Sequence, residues 1–381
     1  MKILHAYKIY LPDVHGGIPA VIRALCRIAG LDQRIVVARR FGFGRNYTID
    51  GTEVEATSSL GNLLSMPMAP TYPFALLRRC ADADVLVHHA PFPLTDLAIL
   101  GLRRRVTLIV YWHADIVGRS LVRMLLSPIL RYALRRADKI IVSDTSIADN
   151  SNMLAPFRSK VEALPYGIDT GYWSTLDDEQ RREAERRRQA HPRLIVSVGR
   201  LVPYKGYDLL LRALADIDAE AVIIGDGPLR ADLENQAAAL GVAGRVRFTG
   251  SLKTDDIKMW LHAARLYAMP SRSIAEAFGL VQVEAMAAGL PVINTRLPTA
   301  VPKLARDGLE GLTVEPEDVG GLTAAMQYLL DNPERAAALG AAGQARAKAE
   351  YDTSVFLQRM VGLYNQTVQQ HNRGIGKTPL A

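Results

Sequence analysis

Two carboxylates, Glu276 and Glu284, stand eight residues apart and flank the tripeptide Phe278-Gly279-Leu280. The Ala-rich run after the tripeptide predicts a helix starting near Phe278, whose free N–H groups and positive dipole end would favour an anion. Gly279 lets a ligand approach the main chain closely. Each carboxylate can accept hydrogen bonds from neutral hydroxyl groups. The stretch therefore fits a ligand with phosphate between two polyols, such as a nucleotide-activated sugar. It also fits an amphipathic helix whose acidic residues complement its own N-terminus.

Two cations could neutralise such a phosphate. In the run GRLVPYKGYD, Arg200 and Lys205 lie five residues apart on a loop that leaves a predicted strand over residues 194–198. Gly199 and Gly206 permit the turns that such a loop needs. The residues alone indicate either a diphosphate clamp or an exposed basic loop.

The first half of the chain offers a second phosphate-facing turn and a set of histidines. Gly16-Gly17 lies directly ahead of a predicted helix from about residue 18 to 30, which fits an anion site or an ordinary tight turn. No G-x-G-x-x-G follows the first strand, so the dinucleotide fingerprint is absent. His113 follows a predicted strand at 106–112, and His88 and His89 end another. Histidines at strand ends are commonly structural, and we assign His88 and His89 that role.

Strand-sized apolar runs alternate with helical or irregular stretches along both halves, which predicts an α/β fold with parallel sheets covered on both faces. In such sheets ligands bind beyond the carboxyl ends of the strands. The predicted strands of the first half are residues 2–7, 34–38, 85–88, 106–112, 139–142 and 161–164.

Composition bounds the remaining possibilities. The 381 residues are 49% hydrophobic and 22% charged, which is ordinary for a globular chain of about two domains. Cys26 and Cys80 are the only cysteines, so neither a disulfide framework nor a thiolate metal site is expected. Asp82-Ala83-Asp84 precedes its strand instead of following it, and we reject it as a metal motif. We predict no metal requirement and no cofactor.

The net charge of +7 invites a polyanionic partner. Few aromatic residues and no recognition motif accompany the charge, which disfavours nucleic acid. Contact with an anionic inner membrane and a merely solvated basic face fit equally well. The chain has no apolar run of about 20 residues and no secretory signal pattern. We therefore expect a cytoplasmic protein, with peripheral membrane contact left open.

The run E-A-F-G-L-x-x-x-E-A-M-A-A-G-x-P-V, residues 276–292, resembles the two-glutamate signature of the retaining glycosyltransferases of family 4. The run G-R-x-x-x-x-K-G from Gly199 resembles that family's diphosphate clamp. The resemblance extends over nearly the whole chain. It implies the GT-B fold: two doubly wound, Rossmann-like domains with a cleft between them and a C-terminal helix crossing back to the first domain. We expect an acceptor-side domain over 1–172 joined by a helix at about 355–371, a linker over 173–192, and a donor domain over 193–354.

The same resemblance implies roles for individual residues. Glu284 would hold the ribose and Glu276 the donor sugar, while Arg200 and Lys205 would offset charge on the leaving diphosphate. His113 would contact the sugar. The remaining predicted donor contacts are Gly16 and Gly17 at the diphosphate, Lys253 near the base, and Ala277, Phe278, Gly279 and Leu280 at the sugar and phosphate.

The run HADIV, residues 113–117, with Arg119 after it, resembles mannosyltransferases of bacterial surface polysaccharide and lipopolysaccharide assembly. That resemblance implies GDP-mannose as donor and a polyprenol-linked or oligosaccharide acceptor. The alternatives are a UDP-sugar-dependent transferase and another GT-B enzyme, such as a nucleotide-sugar epimerase or a phosphorylase.

Overall fold

A computed structural model describes residues 1–14, 16–63, 66–113 and 120–376, with only the backbone of 120–125. The run ADIV and Arg119, within 114–119, lie outside the described residues. The chain divides into two compact units: unit 1 is Met1–Tyr166 with Phe356–Ala381, and unit 2 is Gly167–Val355.

Unit 1 contains a sheet in the order β10-β9-β8-β7-β1-β2-β4-β3, in which the pairs are parallel except for antiparallel β3 and β4. The strands predicted from the apolar runs are confirmed, with small shifts at their ends. The hairpin of β3 and β4 and the two-stranded ribbon of β5 and β6 were not predicted. The strands are β1 (Lys2–Ala6), β2 (Asp32–Ala38), β3 (Arg45–Ile49), β4 (Thr52–Thr57), β5 (Asn62–Leu63), β6 (Met66–Pro67), β7 (Val85–Ala90), β8 (Thr107–Trp112), β9 (Lys139–Val142) and β10 (Val161–Ala163).

Helices cover both faces of this sheet, as a parallel sheet requires. Side chains alternate along each strand, so Leu86 and Val110 enter one core while Val87 and Ile109 enter the other. The first core takes residues from the second, third and fourth helices, and the other takes residues from the first. These helices are α1 (Gly17–Leu25), α2 (Tyr72–Cys80), α3 (Pro93–Ile99), α4 (Ser120–Arg136) and α5 (Thr145–Asp149).

Unit 2 contains a six-stranded parallel sheet in the order β13-β12-β11-β14-β15-β16. Its strands are β11 (Leu194–Val198), β12 (Glu220–Ile224), β13 (Val246–Gly250), β14 (Leu266–Ala268), β15 (Val292–Thr295) and β16 (Gly311–Val314). Its helices are α6 (Thr170–Ser174), α7 (Asp178–Ala190), α8 (Tyr207–Ala215), α9 (Arg230–Ala239), α10 (Thr254–Ala263), α11 (Leu280–Ala287), α12 (Val301–Leu304), α13 (Val319–Asp331) and α14 (Pro333–Glu350).

The last helix, α15 (Thr353–Gly374), starts in unit 2, to which its residues up to Val355 belong, and continues in unit 1 from Phe356. Its apolar face, which the periodicity predicts, packs into the core of Val87 and Ile109. The predicted return of this helix to the first domain is confirmed. The helix continues to Gly374, three residues beyond the predicted end, and His371 in its last turn is buried and lies 2.9 Å from Asp138.

Residues 173–192 were predicted as a linker, and most of them form helix α7 of unit 2. Asp177 and Gln180 make a capping box at the start of this helix. Glu183 pairs with Arg186 and Arg187, and the Arg187 guanidinium lies 4.4 Å from the ring centroid of Trp260 on α10. Only Ala184 of α7 is buried. The composition was misleading because this helix is held by charged and cation–π contacts rather than by an apolar stripe.

Candidate active site

Two loops of unit 2 meet because the strands before them are neighbours. β11 pairs with β12 on one side and β14 on the other, so the connections after β11 and β14 leave in opposite directions. This arrangement is the topological switch point at which α/β sheets bind ligands. The loop after β11 carries Arg200 and Lys205, and the loop after β14 leads to Glu276.

Glycines let the two loops touch. Gly206 has a φ of 70°, and a Cβ there would lie 2.0 Å from the carbonyl oxygen of Pro270. The main-chain N–H of Arg272 donates to the carbonyl of Tyr204 at 2.9 Å. A Cβ on Gly199 would lie 3.3 Å from the Lys205 Nζ, so this glycine leaves room for the lysine side chain. The turns inferred from Gly199 and Gly206 are therefore close approaches of main chain to neighbouring groups.

Lys205 and Glu276 form an ion pair, with Nζ 2.5 Å from Oε2, and their side chains are 11% and 9% exposed. The hydroxyl of Ser271, which is fully buried, donates to the same carboxylate oxygen at 3.2 Å. In this setting each charge offsets the desolvation of the other. The sequence predicted separate ligands for Lys205 and Glu276 and missed both their pairing and the role of Ser271, which no motif indicates.

Helix α11 begins two residues later than predicted, at Leu280, with Gly279 as its N-cap. Gly279 has a φ of 78°, and a Cβ there would lie 2.9 Å from the Met269 Cε. No side chain caps the helix. The N–H groups of Leu280 and Val281 make no hydrogen bond with any described residue. These two N–H groups are free donors at the positive end of the helix dipole, as the predicted anion site requires.

Of the other predicted contacts, Ala277 and Phe278 are held within the fold, whereas Arg200 and Lys253 are exposed. Phe278 is buried, and the carbonyl of Ala277 accepts a hydrogen bond from the Ala300 N–H at 3.2 Å. Arg200 is exposed, and its guanidinium makes no ion pair within the described ranges. Lys253 is the exposed N-cap residue of α10, and its ammonium group likewise has no ion pair in the described part of the chain. Both cations are accessible to a ligand.

Glu284 lies in the second turn of α11 and is partly exposed. Its carboxyl group makes no hydrogen bond or ion pair among the residues that the structure describes. Burial raises the pKa of Glu284 to about 8. Burial and then Tyr207 raise the pKa of Tyr267 most, and Glu276 and Glu284 add to this rise, so both carboxyl groups lie in the neighbourhood of this strand residue. Glu284 is thus an acceptor whose hydrogen-bonding capacity the described protein does not use.

Two residues were missed by sequence reasoning: Tyr172, which lies near Glu284, and Lys258, which contacts Tyr172. The Tyr172 hydroxyl donates to Asp255 at 2.6 Å, and burial, that hydrogen bond and nearby carboxylates including Glu284 raise the pKa of Tyr172. The ammonium of Lys258 is 4.4 Å from the Tyr172 ring centroid. The charged pattern of α10 did not mark Lys258, because buried and solvated lysines look alike in sequence.

Replacing Glu284 with glutamine is expected to stabilise the fold by about 2 kcal/mol near pH 8. The pKa of Glu284 is about 8 in the folded protein and 4.5 ordinarily, so folding keeps a proton that the unfolded chain releases. Wild-type stability therefore falls as pH rises from 4.5 to 8, and the neutral variant avoids this loss. Urea unfolding at both ends of that window measures the difference. The exposed Glu179→Gln is the control, and a stability gain that does not grow with pH would contradict the prediction.

In unit 1, Gly16 is the N-cap of α1 and Gly17 its first residue. Both are exposed, and a Cβ on either would meet nothing within 4 Å. The predicted turn ahead of a helix is present, with an accessible main chain. Asp82 and Asp84 bind the side chain and main-chain N–H of Lys2, respectively, near the start of β1.

His113 occupies a buried chain of imidazoles at the carboxyl ends of β7 and β8. Its Nδ1 lies 2.7 Å from the Tyr166 hydroxyl and its Nε2 lies 2.9 Å from Nδ1 of His89. The other nitrogen of His89 lies 3.1 Å from Nδ1 of His5. Both ring nitrogens of His113 are therefore occupied, which was not expected of a residue that contacts a sugar. His88, as assigned, is structural: it is buried and lies 2.9 Å from Asp96.

Gln33 gives this chain a direction. Its amide N–H donates to the carbonyl of Leu25 at 2.8 Å, which leaves its oxygen to accept from Nε2 of His5 at 3.0 Å. A neutral His5 that donates from Nε2 must accept at Nδ1, from Nε2–H of His89. His89 in turn accepts at Nδ1 from Nε2–H of His113. Burial raises the pKa of the Tyr166 hydroxyl, so this group keeps its proton and donates it to Nδ1 of His113 at the far end of the chain. Burial also lowers the pKa of His113 to about 3, so the ring is neutral at physiological pH.

Among the described residues, no group of three or more His, Cys, Asp or Glu side chains is arranged to hold a metal ion. In the same ranges, none of the helices combines the length and apolar character needed to cross a bilayer.

Comparison with known proteins identifies this arrangement. The family model described as glycosyl transferases group 1 matches residues 178–346, and that described as a glycosyl transferase 4-like domain matches residues 16–167. The chain is 30% identical over 350 residues to D-rhamnosyltransferase WbpZ of Pseudomonas aeruginosa, covering 91% of each protein. The chain belongs to the family 4 glycosyltransferases. The predicted family resemblance is confirmed.

Two further relatives of this glycosyltransferase are named for mannose. It is 28% identical over 375 residues to O-antigen chain mannosyltransferase C of Escherichia coli, covering 97% of this chain and 99% of the relative. It is 35% identical over 266 residues to the GDP-mannose-dependent alpha-(1-6)-phosphatidylinositol monomannoside mannosyltransferase of Mycolicibacterium smegmatis. This match covers 65% of this chain and 68% of the relative.

The fold has solved counterparts. The crystal structure of Anabaena Alr3699/HepE in complex with UDP has a TM-score of 0.77 to this glycosyltransferase at 20% identity, covering 96% of this chain and all of that one. The predicted GT-B fold is confirmed by this likeness and by the two parallel-sheet units.

Proposed function

We propose that this glycosyltransferase moves mannose from GDP-mannose, with retention of anomeric configuration, to a lipid-linked or glycan acceptor in bacterial polysaccharide assembly. Two observations together carry the proposal. Lys205 and Glu276, whose side chains are 11% and 9% exposed, form an ion pair, and the first N–H groups of α11 have no described partner. A cation, a carboxylate and free amides together match a diphosphate joined to a sugar.

In the proposed reaction the bond between the anomeric carbon and the β-phosphate oxygen breaks, and a bond from that carbon to the acceptor oxygen forms. The departing phosphate oxygen takes the acceptor proton, so no protein base is needed. Lys205 and Arg200 stabilise the negative charge that grows on the diphosphate, where preorganised cations contribute most. Glu276 accepts hydrogen bonds from the sugar, and Glu284 accepts from the ribose hydroxyls.

Unit 1 contributes less chemistry to this proposal than its histidines suggest. Gly16 and Gly17 offer exposed main chain to the diphosphate. His113 is neutral and hydrogen-bonded at both ring nitrogens. In this proposal it therefore shapes the acceptor side of the site and transfers no proton. The proposal requires neither a metal nor a cofactor, and Lys253 stays a proposed contact near the nucleotide base.

Mannose is favoured because two of the relatives named above are mannosyltransferases, one of them GDP-mannose-dependent. The D-rhamnosyltransferase relative shows that similar sequences transfer a different sugar. A UDP-sugar donor is the second candidate, favoured by the UDP that a solved protein of the same fold binds. The names of these two relatives refer to an O-antigen chain and to phosphatidylinositol monomannoside, which supports a glycan or glycolipid acceptor.

The test combines binding and turnover. GDP is expected to raise the melting temperature more than UDP or ADP, because a ligand selective for the folded state stabilises it. GDP-mannose incubated with polyprenyl-diphosphate oligosaccharides should give an α-linked product, resolved by NMR, in the presence of EDTA. Selective stabilisation by UDP, an inverted product or loss of activity with EDTA would each contradict the corresponding part of the proposal. Epimerisation of the donor, or its phosphorolysis, without glycosyl transfer would point to another kind of GT-B enzyme.

A further inference from the structure

A buried tyrosine hydroxyl of unit 2 lies beside the candidate site without a partner. Tyr207, the first residue of α8, is 2% exposed, and its ring belongs to the apolar core of unit 2. Its hydroxyl oxygen is buried and makes no hydrogen bond with any described residue. Buried hydroxyl groups without a partner cost free energy and are rare in native folds, and catalytic sites are one of the places that retain them.

The Tyr207 hydroxyl and the Lys205 ammonium group border the same small space. A Cβ on Gly199 would lie 2.8 Å from the Tyr207 oxygen and 3.3 Å from the Lys205 Nζ. The same Nζ lies 2.5 Å from Oε2 of Glu276. Burial and then the charge of Glu276 raise the pKa of Tyr207, against a smaller opposite effect of Ser197. The hydroxyl therefore keeps its proton and lies in the neighbourhood of the carboxylate.

Three neighbouring buried hydroxyl groups have already committed their protons. Ser197 and Tyr267 each donate to a main-chain carbonyl, at 2.6 and 3.4 Å. Ser271 donates to Glu276 at 3.2 Å. Of these four hydroxyl groups, Tyr207 alone has a proton that no described acceptor uses. It is therefore a spare hydrogen-bond donor next to the ion pair.

The proposed function requires the ion pair to separate when the donor binds. Lys205 then turns toward the diphosphate, while Glu276 stays in place to accept hydrogen bonds from the sugar. The Glu276 side chain is 9% exposed, and once its cation leaves, Ser271 is its remaining described partner. A buried carboxylate that loses its cation is costly, so a replacement donor makes the separation easier.

We propose that Tyr207 is a positioning residue for glycosyl transfer, whose hydroxyl donates to the Glu276 carboxylate when the diphosphate draws Lys205 away. Gly199 leaves room for the small shift this needs, because it has no side chain to fill the space. The hydroxyl then keeps the carboxylate charged and oriented toward the sugar. Tyr207 acts through Glu276 and not on the substrate, because its oxygen is buried. This role rests on the proposed function, which supplies the diphosphate that separates the pair.

Tyr207→Phe removes the hydroxyl and keeps the ring in the core. With GDP-mannose, or with a UDP-sugar if UDP stabilises the protein more, kcat/KM is expected to fall by about tenfold, the size of one hydrogen bond to a charged group. The melting temperature should stay the same or rise, since an unpaired buried hydroxyl is lost. Tyr364→Phe is the matched control, because that hydroxyl is also buried without a described partner but lies in a core of unit 1. It should leave kcat/KM within about twofold of wild type.

A double-mutant cycle with Glu276→Gln separates positioning from a structural defect. In the Glu276→Gln background, Tyr207→Phe should change kcat/KM by less than about twofold, because a neutral amide needs no replacement for its cation. A structural defect would instead reduce kcat/KM about equally in both backgrounds, and that result would overturn the proposal.

Two further results would count against a positioning role for Tyr207. One is wild-type kcat/KM in Tyr207→Phe, and the other is a clearly lowered melting temperature, which would mean that the hydroxyl has a partner before the donor binds. Unchanged kinetics of this variant in an active transferase would contradict the role of Tyr207 and leave the proposed function intact. Failure of the wild-type protein to transfer sugar from any nucleotide sugar would overturn the proposed function and, with it, the role of Tyr207.

Discussion

Lys205→Ala is expected to slow glycosyl transfer by about 10²-fold or more, which corresponds to about 2.7 kcal/mol of lost transition-state stabilisation. The Lys205 side chain is 11% exposed and its ammonium group lies 2.5 Å from the Glu276 carboxylate, so the cation is held in place before the diphosphate begins to leave. A preorganised cation stabilises developing charge without reorganisation at the moment of reaction. Steady-state kinetics with the preferred nucleotide sugar should show the loss mainly in kcat.

A structural defect could imitate this result, because the single variant leaves the Glu276 carboxylate buried without its partner. The double variant Lys205→Ala with Glu276→Gln removes both charges and is expected to recover much of the lost stability but none of the activity. Lys348→Ala, an exposed lysine on α14, is the control for loss of a positive charge in unit 2. Recovery of transfer in the double variant would contradict a catalytic role for Lys205.

Unit 1 is expected to lose stability steeply as pH falls below about 6.5, the ordinary pKa of histidine. Burial lowers the pKa of His5 to about 4 and that of His113 to about 3, and burial followed by the other imidazoles lowers that of His89 well below its ordinary value. The unfolded chain therefore takes up protons that the folded unit refuses. The stability is present above pH 6.5 and is lost as pH falls toward these lowered values. His5 alone should contribute about 3 kcal/mol by pH 4.

Urea unfolding between pH 7.5 and 5 measures this effect, with the slope of the free energy giving the number of protons taken up. His89→Gln should reduce the slope by about one proton, because it removes one of the imidazoles that folding keeps neutral. A free energy of unfolding that is flat across this range would show that the imidazoles are not held neutral.

The strands and the carboxylate motif could be predicted because each is a local property of the sequence. Apolar runs marked β1, β8 and β11, and the spacing from Glu276 to Glu284 matched a long and specific signature. The Lys205–Glu276 pair could not be predicted in the same way. It depends on β11 and β14 being neighbours in the sheet, and no residue pattern fixes strand order.

The imidazole chain was missed for a related reason. His5, His89 and His113 belong to three segments, and only the register of β1, β7 and β8 places their rings on one face. Helix α7 was mistaken for a linker because its stability comes from charges and a cap instead of buried apolar groups.

The return of α15 to unit 1 has a consequence for the order in which the chain matures. Unit 2 is one continuous segment, so all of it is available once Val355 has left the ribosome. Unit 1 instead needs Phe356, Met360 and Tyr364 to close one of its cores, although its other residues were synthesised first. One apolar face of the amino-terminal part therefore stays uncovered until synthesis has passed these residues. This exposed face makes it the part of the nascent chain that most needs protection by chaperones.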